Sequence, residues 1–222
     1  MKSSSRLQLY LDTAEVEAWQ TWMPTGLFYG VTSNPLLLER AQVPCTAASL
    51  EQLAQRAFDL GAQEVQLQTW GETVPALVQR GQRLAAIDSR VVVKVPVTQT
   101  GTTAATQLIA AGVRVTLTAA YAVHQALIAA AVGAEYVAPY LGRINDLGRE
   151  GRSELATMQQ ALTGVHSTTR ILTASIRSVE DIAVLAAHGL DTFTFSPAIA
   201  AAFFAVEATS AATADFERAA AG

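Results

Sequence analysis

The chain has 222 residues, of which 50% are hydrophobic and 15% are charged, and its formal net charge is −4. This composition excludes intrinsic disorder, and the slight excess of acid gives no positively charged surface for nucleic acid or an anionic membrane. A single cysteine excludes an internal disulfide framework and fits a reducing compartment.

Short apolar or β-branched runs alternate with longer stretches of helical spacing along the chain. The predicted strands are 7–11, 28–32, 64–69, 91–95, 113–118, 135–139, 170–174 and 192–195. The predicted helices lie near 13–22, 47–60, 72–87, 101–111, 120–132, 150–163, 178–187 and 198–205. Four glycines follow a predicted helix and precede a strand, where a left-handed helix cap belongs: Gly61, Gly112, Gly133 and Gly189.

Eight strand–helix units in 222 residues are close to the lower size limit of a closed (β/α)8 barrel, also called a TIM barrel. An open doubly wound sheet is the alternative, but it usually has fewer strands and a glycine-rich phosphate loop. Neither G-x-G-x-x-G nor G-x-x-x-x-G-K-[ST] occurs in the chain. The sequence therefore predicts a single α/β barrel domain over 1–222, with a polar tail over 1–6 and an additional C-terminal helix over 207–221.

The longest apolar runs, 126–134 and 198–206, are far shorter than the roughly 20 residues that span a bilayer. The apolar stretch near the N-terminus is too short and too polar for the core of a signal peptide. We therefore expect a cytoplasmic protein with no membrane partner and no nucleic-acid partner. The three histidines and the cysteine lack the spacing of metal ligands, so we expect no metal and no cofactor.

Lysine usage is the sharpest signal in the composition. Of 15 basic residues 13 are arginine, and the two lysines are Lys2, in the polar tail, and Lys94, in the apolar run 91–97. Lys94 could extend from a strand end or pair with a carboxylate such as Asp12. Alternatively, desolvation by the surrounding valines would favour the neutral amine, which is the nucleophile of Schiff-base chemistry. Because arginine supplies almost every other positive charge, the sequence favours the Schiff-base function.

Side chains at the carboxyl ends of barrel strands converge on one mouth, where active sites lie. Nearly every predicted strand delivers a polar group there: Asp12, Thr32, Asn34, Gln68, Lys94, Thr118, Tyr140, Arg143, Ser175 and Arg177. Two arginines and a serine suit a phosphate, since arginine forms forked hydrogen bonds to its oxygens.

Each of these residues also has a purely structural interpretation. Asp12 could cap a helix, Asn34 could mark a turn, and Tyr140 could pack in the core. Gln68 and Thr118 could satisfy backbone groups, and both arginines could be solvated surface charges. The sequence alone leaves these alternatives open.

Five segments together resemble the transaldolase family, and within it the small fructose-6-phosphate aldolase and transaldolase-like subgroup. They are LYLDT around Asp12, GVTSNP around Asn34, VKVPVT around Lys94, APYLGRI around Tyr140 and ASIR around Ser175. The resemblance covers essentially the whole chain in order. It implies metal-free class I aldol chemistry in a (β/α)8 barrel.

The resemblance also implies a role for each residue. Lys94 corresponds to the Schiff-base lysine and Asp12 to the carboxylate beside it, while Thr32 and Asn34 correspond to groups that hold the dihydroxyacetone unit. Ala138 is implied as a further substrate-binding residue. Arg143, Ser175 and Arg177 correspond to phosphate-binding positions, so the implied partners are a small ketone and an aldehyde or sugar phosphate.

Two positions separate the activities of the family. Transaldolases tend to have a glutamate on strand 3 and a phenylalanine after strand 6, whereas fructose-6-phosphate aldolases have a glutamine and a tyrosine. Gln68 and Tyr140 therefore resemble the aldolases, in which a water held by Gln68 and Thr118 would help Tyr140 to move a proton. A true transaldolase and a non-catalytic sugar-phosphate-binding barrel remain the alternatives.

Two further expectations follow from the family. Its small members form ring-shaped decamers whose C-terminal helix docks on a neighbour, so we expect a homo-oligomer; segment 207–221 could dock in this way or fray. Three residues depart from the usual pattern and leave the acceptor preference open: Ser33, Thr116 and Ile176.

Overall fold

The computed structural model describes residues 7–222, so the predicted polar tail over 1–6 lies outside the described residues. Eight parallel strands pair in chain order and close into a barrel, which confirms the predicted (β/α)8 fold. The strands are β1 (Gln8–Asp12), β2 (Gly30–Thr32), β3 (Glu64–Gln68), β4 (Val91–Pro96), β5 (Val115–Ala120), β6 (Tyr136–Pro139), β7 (Arg170–Thr173) and β8 (Thr192–Phe195).

Helices follow the strands and cover the outside of the barrel. They are α1 (Val16–Trp22), α2 (Pro35–Arg40), α3 (Ala47–Asp59), α4 (Val74–Ala85), α5 (Gln99–Ala110), α6 (Val123–Val132), α7 (Leu141–Asp146), α8 (Gly151–Gly164), α9 (Val179–Ala187), α10 (Pro197–Ala202) and α11 (Glu207–Ala220), with a 3₁₀ turn at Met23–Thr25. The sequence analysis missed α2 and α7. Each has only six residues, too few for a helical period to be recognised.

Strand β4 shows why Lys94 points into the barrel. Successive side chains of a strand face opposite sides, and Val91, Val93 and Val95 belong to the core cluster between the strands and the helices. Val92 belongs instead to the interior layer of the barrel, with Tyr10, Tyr136, Ala138 and Leu172. Lys94 lies two residues beyond Val92 and therefore faces the same interior, nearer the carboxyl end.

A glycine on β2 makes room for Tyr10, one of the two tyrosines of this interior layer. A Cβ atom on Gly30 would lie 3.1 Å from the ring of Tyr10 and 2.1 Å from the backbone oxygen of Glu64. Any larger residue would therefore push β2 away from its neighbours. The predicted left-handed caps are also present, since Gly61, Gly112, Gly133 and Gly189 all have positive φ.

Helix α11 confirms the predicted C-terminal helix, and it buries none of its residues against the barrel. Its Phe216 is 71% exposed. Within residues 7–222, no helix has the length and hydropathy needed to cross a membrane.

Candidate active site

A cavity of about 190 Å³ opens at the carboxyl end of the barrel strands. Six of the residues predicted from the sequence line it: Asp12, Asn34, Lys94, Tyr140, Arg143 and Ser175. Five others do not, namely Thr32, Gln68, Thr118, Ala138 and Arg177. The structure thus places six of the eleven predicted site residues on the wall of one cavity, and the other five do not line it.

Lys94 is 3% exposed and reaches the cavity from β4. Its Nζ donates a hydrogen bond of 2.9 Å to the backbone carbonyl of Ser33, and it forms no salt bridge with any residue in 7–222. Burial lowers the pKa of Lys94, and the negative charge of Asp12 opposes this only in part. Within the described residues Lys94 is therefore bonded to a carbonyl and not to a carboxylate, which argues against the ion-pair alternative.

Asp12 ends β1, and its carboxylate is fixed by a threonine pair. The Thr32 hydroxyl donates to Asp12 Oδ1 at 2.7 Å and lies 2.6 Å from the Thr194 hydroxyl. The helix-cap interpretation of Asp12 is wrong, because α1 begins at Val16 with Glu15 as its N-cap. Thr32, which is 1% exposed, therefore contacts Asp12 rather than the cavity.

Asn34 caps a helix and also lines the cavity. Its side-chain oxygen accepts hydrogen bonds from the backbone N–H groups of Leu36 (3.0 Å) and Leu37 (3.1 Å), which caps α2. The cap fixes the orientation of the side chain, and its NH2 group remains as a hydrogen-bond donor.

Tyr140 lies between a hydroxyl, a second aromatic ring and an arginine. Its OH is 3.1 Å from Thr118 Oγ1, its ring packs edge-on against Tyr121 at 5.6 Å, and Arg143 Cζ lies 5.0 Å from the ring centre. Burial raises the pKa of Tyr140, and the hydrogen bond with Thr118 offsets part of this rise. Tyr140 therefore remains protonated and able to donate its proton at neutral pH.

Gln68 and Ala138 occupy less direct positions. Gln68 ends β3 opposite Lys94 in the strand register, and its side chain makes no hydrogen bond to a residue in the described part of the chain. Ala138 is 1% exposed in the interior layer of the barrel. Of the residues that depart from the family pattern, Ile176 lines the cavity, whereas Thr116 is buried and donates to Gln66 Oε1 at 2.8 Å.

The predicted phosphate-binding residues do not all lie at the cavity. Arg143 lines the cavity and donates to the Tyr121 hydroxyl at 3.3 Å. Arg177 is exposed and forms two hydrogen bonds to the carboxylate of Asp146. Only Arg143 and Ser175 of the three predicted residues therefore face the cavity.

Ser175 has an unusual backbone conformation for a residue with a side chain, with φ of 58°. Its carbonyl accepts a hydrogen bond of 2.9 Å from the Gly142 N–H, and a Cβ atom on Gly142 would lie 2.5 Å from that oxygen. Strained residues of this kind persist where the surroundings hold them, and they cluster at functional sites.

Three cavity residues on α2 were missed by the sequence analysis: Leu36, Leu37 and Arg40. Their spacing places them on one face of a helix, but the helix itself was too short to be recognised. Tyr121 was also missed, and it binds both Tyr140 and Arg143.

A parallel barrel with a buried lysine and several polar groups at its carboxyl-terminal mouth has the organisation of a TIM-barrel enzyme. The family model described as Transaldolase/Fructose-6-phosphate aldolase matches residues 9–221, so the chain belongs to this family. It is therefore an enzyme of the aldolase or transaldolase type.

Individual proteins are similar over nearly the same length. A probable transaldolase of Thermus thermophilus is 34% identical over 202 residues, which cover 87% of this chain and 88% of that protein. A probable transaldolase of Phenylobacterium zucineum is 31% identical over 198 residues, which cover 89% of each chain. Thiamine phosphate pyrophosphorylase from Pyrococcus furiosus superposes with a TM-score of 0.61 over 86% of each chain at 14% identity, which shows a shared fold only.

Proposed function

We propose that the protein is a class I aldolase that joins dihydroxyacetone to an aldehyde through a Schiff base on Lys94. With glyceraldehyde 3-phosphate as the aldehyde, the product is fructose 6-phosphate, and the reaction is reversible. The observation that carries the proposal is the environment of Lys94: a buried amine in a polar cavity, whose hydrogen-bond partner is an uncharged carbonyl.

The first half of the reaction makes a nucleophile from the ketone. Lys94 Nζ attacks the carbonyl carbon, and the oxygen leaves as water when the imine forms. Asp12 is placed to take and return the protons of this step, because Thr32 holds one of its oxygens and it lines the cavity beside Lys94. A water held by Gln68 and Thr118 beside Tyr140 takes a proton from the carbon next to the imine, which gives the enamine. Asn34 binds a hydroxyl of the dihydroxyacetone unit.

The second half forms the carbon–carbon bond. The enamine carbon attacks the aldehyde carbon, and the aldehyde oxygen gains the proton that Tyr140 donates. Tyr140 regains a proton from the water that accepted one during enamine formation. Water then adds to the new imine and releases the product from Lys94. Arg143 and Ser175 bind the phosphate of a phosphorylated aldehyde, and Arg177 is a further candidate for this contact.

The same residues would support a transaldolase, which passes the dihydroxyacetone unit directly to a second aldehyde. The names of the relatives favour this second candidate, whereas Gln68 and Tyr140 favour the aldolase. The difference is chemical: an aldolase protonates the enamine and releases dihydroxyacetone, and a transaldolase keeps the enamine until another aldehyde arrives. Release of dihydroxyacetone from fructose 6-phosphate without an acceptor supports the aldolase, and efficient transfer to erythrose 4-phosphate with negligible release supports the transaldolase.

Borohydride reduction tests the Schiff base itself. Treating the protein with dihydroxyacetone and borohydride should add a reduced adduct to the peptide that contains 91–97, as located by mass spectrometry. The Lys94→Met variant should give no adduct and no activity. Absence of an adduct in the unmodified protein, with activity retained after the substitution, would contradict the proposal and favour a sugar-phosphate-binding barrel without this chemistry.

We also propose that the protein forms a homo-oligomer, of which a decamer is the form expected from the family. Helix α11 supports this, because it buries no residue within its own chain and exposes Phe216. Light scattering on the full chain and on a chain ending at Val206 tests the role of the helix. If the truncated protein keeps the same number of subunits, another surface forms the contacts between them.

A further inference from the structure

Arg40 is a cavity residue to which the proposed chemistry gives no role. It ends α2, the helix that Asn34 begins, and it lines the cavity together with Leu36 and Leu37. Residues three and four apart on a helix share a face, so Leu36, Leu37 and Arg40 form one wall of the cavity. Leu36 is apolar and 51% exposed, so Arg40 supplies the charge of this wall.

This wall lies opposite the one that carries Arg143. The eight strands close in chain order, and β2 and β6 are four strands apart, so they stand on opposite sides of the barrel. Asn34 and α2 follow β2, whereas Tyr140 and α7, which contains Arg143, follow β6. The two arginines therefore enter one cavity from facing sides.

Arg40 is also unusual in its lack of partners. Most arginines in the described part of the chain pair with an acid or contact a ring or an oxygen atom. Three of those in residues 7–222 have no ion pair, side-chain hydrogen bond or ring contact there: Arg40, Arg56 and Arg83. Of these three only Arg40 lines the active-site cavity. Arg143 has uncharged partners, Tyr121 and Tyr140.

The cavity charge is thus unbalanced towards cations. It holds two permanently charged groups, Arg40 and Arg143, against the single carboxylate of Asp12, and Lys94 adds a positive charge only when it is protonated. Guanidinium groups without an acidic partner suit the oxygens of a phosphate, because their forked donors match its geometry and they remain charged. A substrate anion would correct the imbalance at both arginines.

We propose that Arg40 forms a second anion subsite, which binds a phosphate group of the substrate on the wall opposite Arg143. This inference rests on the proposed function, because it assumes that the substrate reacts in the same cavity. Asn34 and Arg40 are about 9 Å apart along the helix axis at 1.5 Å per residue. Helical side chains lean towards the N-terminus of their helix, so Arg40 leans towards Asn34, the proposed ligand of the ketone.

The phosphate that Arg40 binds can belong to the ketone donor or to the aldehyde acceptor, and two assays distinguish these sources. The donor assay measures the concentration of ketone that gives half-maximal borohydride trapping on Lys94, for dihydroxyacetone and for dihydroxyacetone phosphate. The acceptor assay measures KM for glyceraldehyde and for glyceraldehyde 3-phosphate. Both assays compare a phosphorylated compound with its unphosphorylated counterpart. General damage to the site would change both values and leave their ratio unchanged.

The variants are Arg40→Gln, which removes the charge, and Arg40→Lys, which keeps it without the fork. Arg83→Gln is the matched control, because Arg83 is an exposed arginine on α4 that lines no part of the cavity. We expect Arg40→Gln to weaken binding of the phosphorylated compound on the order of tenfold in one of the two assays. The effect of Arg40→Lys should be intermediate. The unphosphorylated compound and the Arg83→Gln variant should keep their original values.

Two results would overturn the inference. One is an equal loss for phosphorylated and unphosphorylated compounds, which would make Arg40 a structural residue. The other is no change in either assay. Calorimetric binding of inorganic phosphate to the unmodified protein and to Arg40→Gln needs no Schiff base, so it tests the subsite even where no ketone adduct forms on Lys94. Equal phosphate affinity of the two proteins would count against Arg40.

Discussion

Lys94 and Ser33 are joined by a hydrogen bond of 2.9 Å in which the acceptor is a backbone carbonyl. An uncharged acceptor holds the amine in place without the strong preference for the ammonium that a carboxylate in contact would impose. Because the contact is to the backbone, the serine at this position does not alter it. The bond therefore orients the nucleophile and leaves burial and the charge of Asp12 to determine its protonation.

The first prediction concerns the pH at which Lys94 becomes reactive. Only the neutral amine reacts with a small electrophile such as acetic anhydride, so the midpoint of the rate against pH reports the pKa of Lys94. Because burial lowers this pKa, the midpoint should lie below the ordinary lysine value of about 10.4. Asp12 raises the pKa, so Asp12→Asn should move the midpoint to lower pH still. Mass spectrometry of the peptide containing 91–97 gives the rate.

The charge-matched control is Glu17→Gln, which removes an exposed carboxylate on α1. It should leave the midpoint where it is. A midpoint that rises in Asp12→Asn would mean that Asp12 does not act on Lys94 through its charge.

The second prediction concerns proton donation by Tyr140. Tyr140→Phe removes the hydroxyl and keeps the ring against Tyr121, so the fold should be retained. A positioned proton donor contributes about 10²–10⁴-fold to a rate, and the aldol cleavage of fructose 6-phosphate should fall by about this range. Tyr140 acts at the aldehyde oxygen in both reactions, but release of dihydroxyacetone also needs a proton from Tyr140 and its water at the enamine carbon. Transfer omits this second proton, so it should fall less. The measurement is the ratio of cleavage to transfer.

Thr118→Val provides the partner test. It removes the hydroxyl 3.1 Å from the Tyr140 OH and keeps the shape of the side chain. We expect a smaller loss of cleavage, together with a rise in the pKa of Tyr140, since the hydrogen bond with Thr118 lowers it. An unchanged cleavage rate in Tyr140→Phe would remove Tyr140 from the proton-transfer role.

The barrel and its lysine could be predicted because they depend on local patterns. Eight alternating strand and helix segments are visible in the sequence, and the period of two along a strand places Lys94 on the inner face. The depth of a side chain along the barrel axis is not visible in this way. Thr32 ends β2 as predicted, whereas β5 continues two residues beyond Thr118 to Ala120. Both threonines contact predicted site residues, Asp12 and Tyr140, and neither lines the cavity.

The loops were predicted less well for a related reason. Arg143 and Arg177 both follow strands, and the sequence treats them alike. Asp146, at the end of a helix that the sequence analysis missed, holds Arg177 outside the cavity. Arg40 was missed because α2 shows less than two turns of helical pattern. Short helices after strands carry much of this site, and they have too few residues for a recognisable period.

The third prediction concerns stability and the far end of the barrel. Glu64 is 1% exposed, accepts hydrogen bonds of 2.8 Å from Tyr10 and Gln66, and pairs with Arg114. Glu64→Leu would leave the buried Tyr10 hydroxyl and Gln66 amide without their acceptor, at a cost of about 1–3 kcal/mol for each unsatisfied donor. Chemical denaturation should show a loss of this size.

Glu135→Gln is the matched variant, since Glu135 pairs with the same Arg114 but its side chain is 36% exposed. An exposed pair contributes about 0–1 kcal/mol, so this variant should be nearly as stable as the unmodified protein. Both should retain the activity per folded molecule, because the strand end that carries Glu64 is opposite the cavity. If the two variants lose equal free energy of unfolding, burial of Glu64 does not explain its contribution to stability.

The fourth prediction concerns the competition between Asp146 and phosphate for Arg177. Asp146 binds both terminal nitrogens of the guanidinium, the atoms that a phosphate would need. Because the pair is exposed, solvent screening makes it weak, and Asp146→Asn should release Arg177 at little cost to stability. If Arg177 then turns towards Ser175, KM for glyceraldehyde 3-phosphate should fall while KM for glyceraldehyde stays constant.

The double variant Asp146→Asn with Arg177→Gln separates this effect from the simple loss of a negative charge near the cavity. If released Arg177 binds the phosphate, adding Arg177→Gln should abolish the gain. If KM for glyceraldehyde 3-phosphate stays low in the double variant, long-range electrostatics explains the change. Loss of the negative charge of Asp146 reduces the repulsion of an anion whether or not Arg177 is present. An unchanged or higher KM in Asp146→Asn would show that Arg177 has no part in phosphate binding, and Arg143 with Ser175 would then hold that group without it.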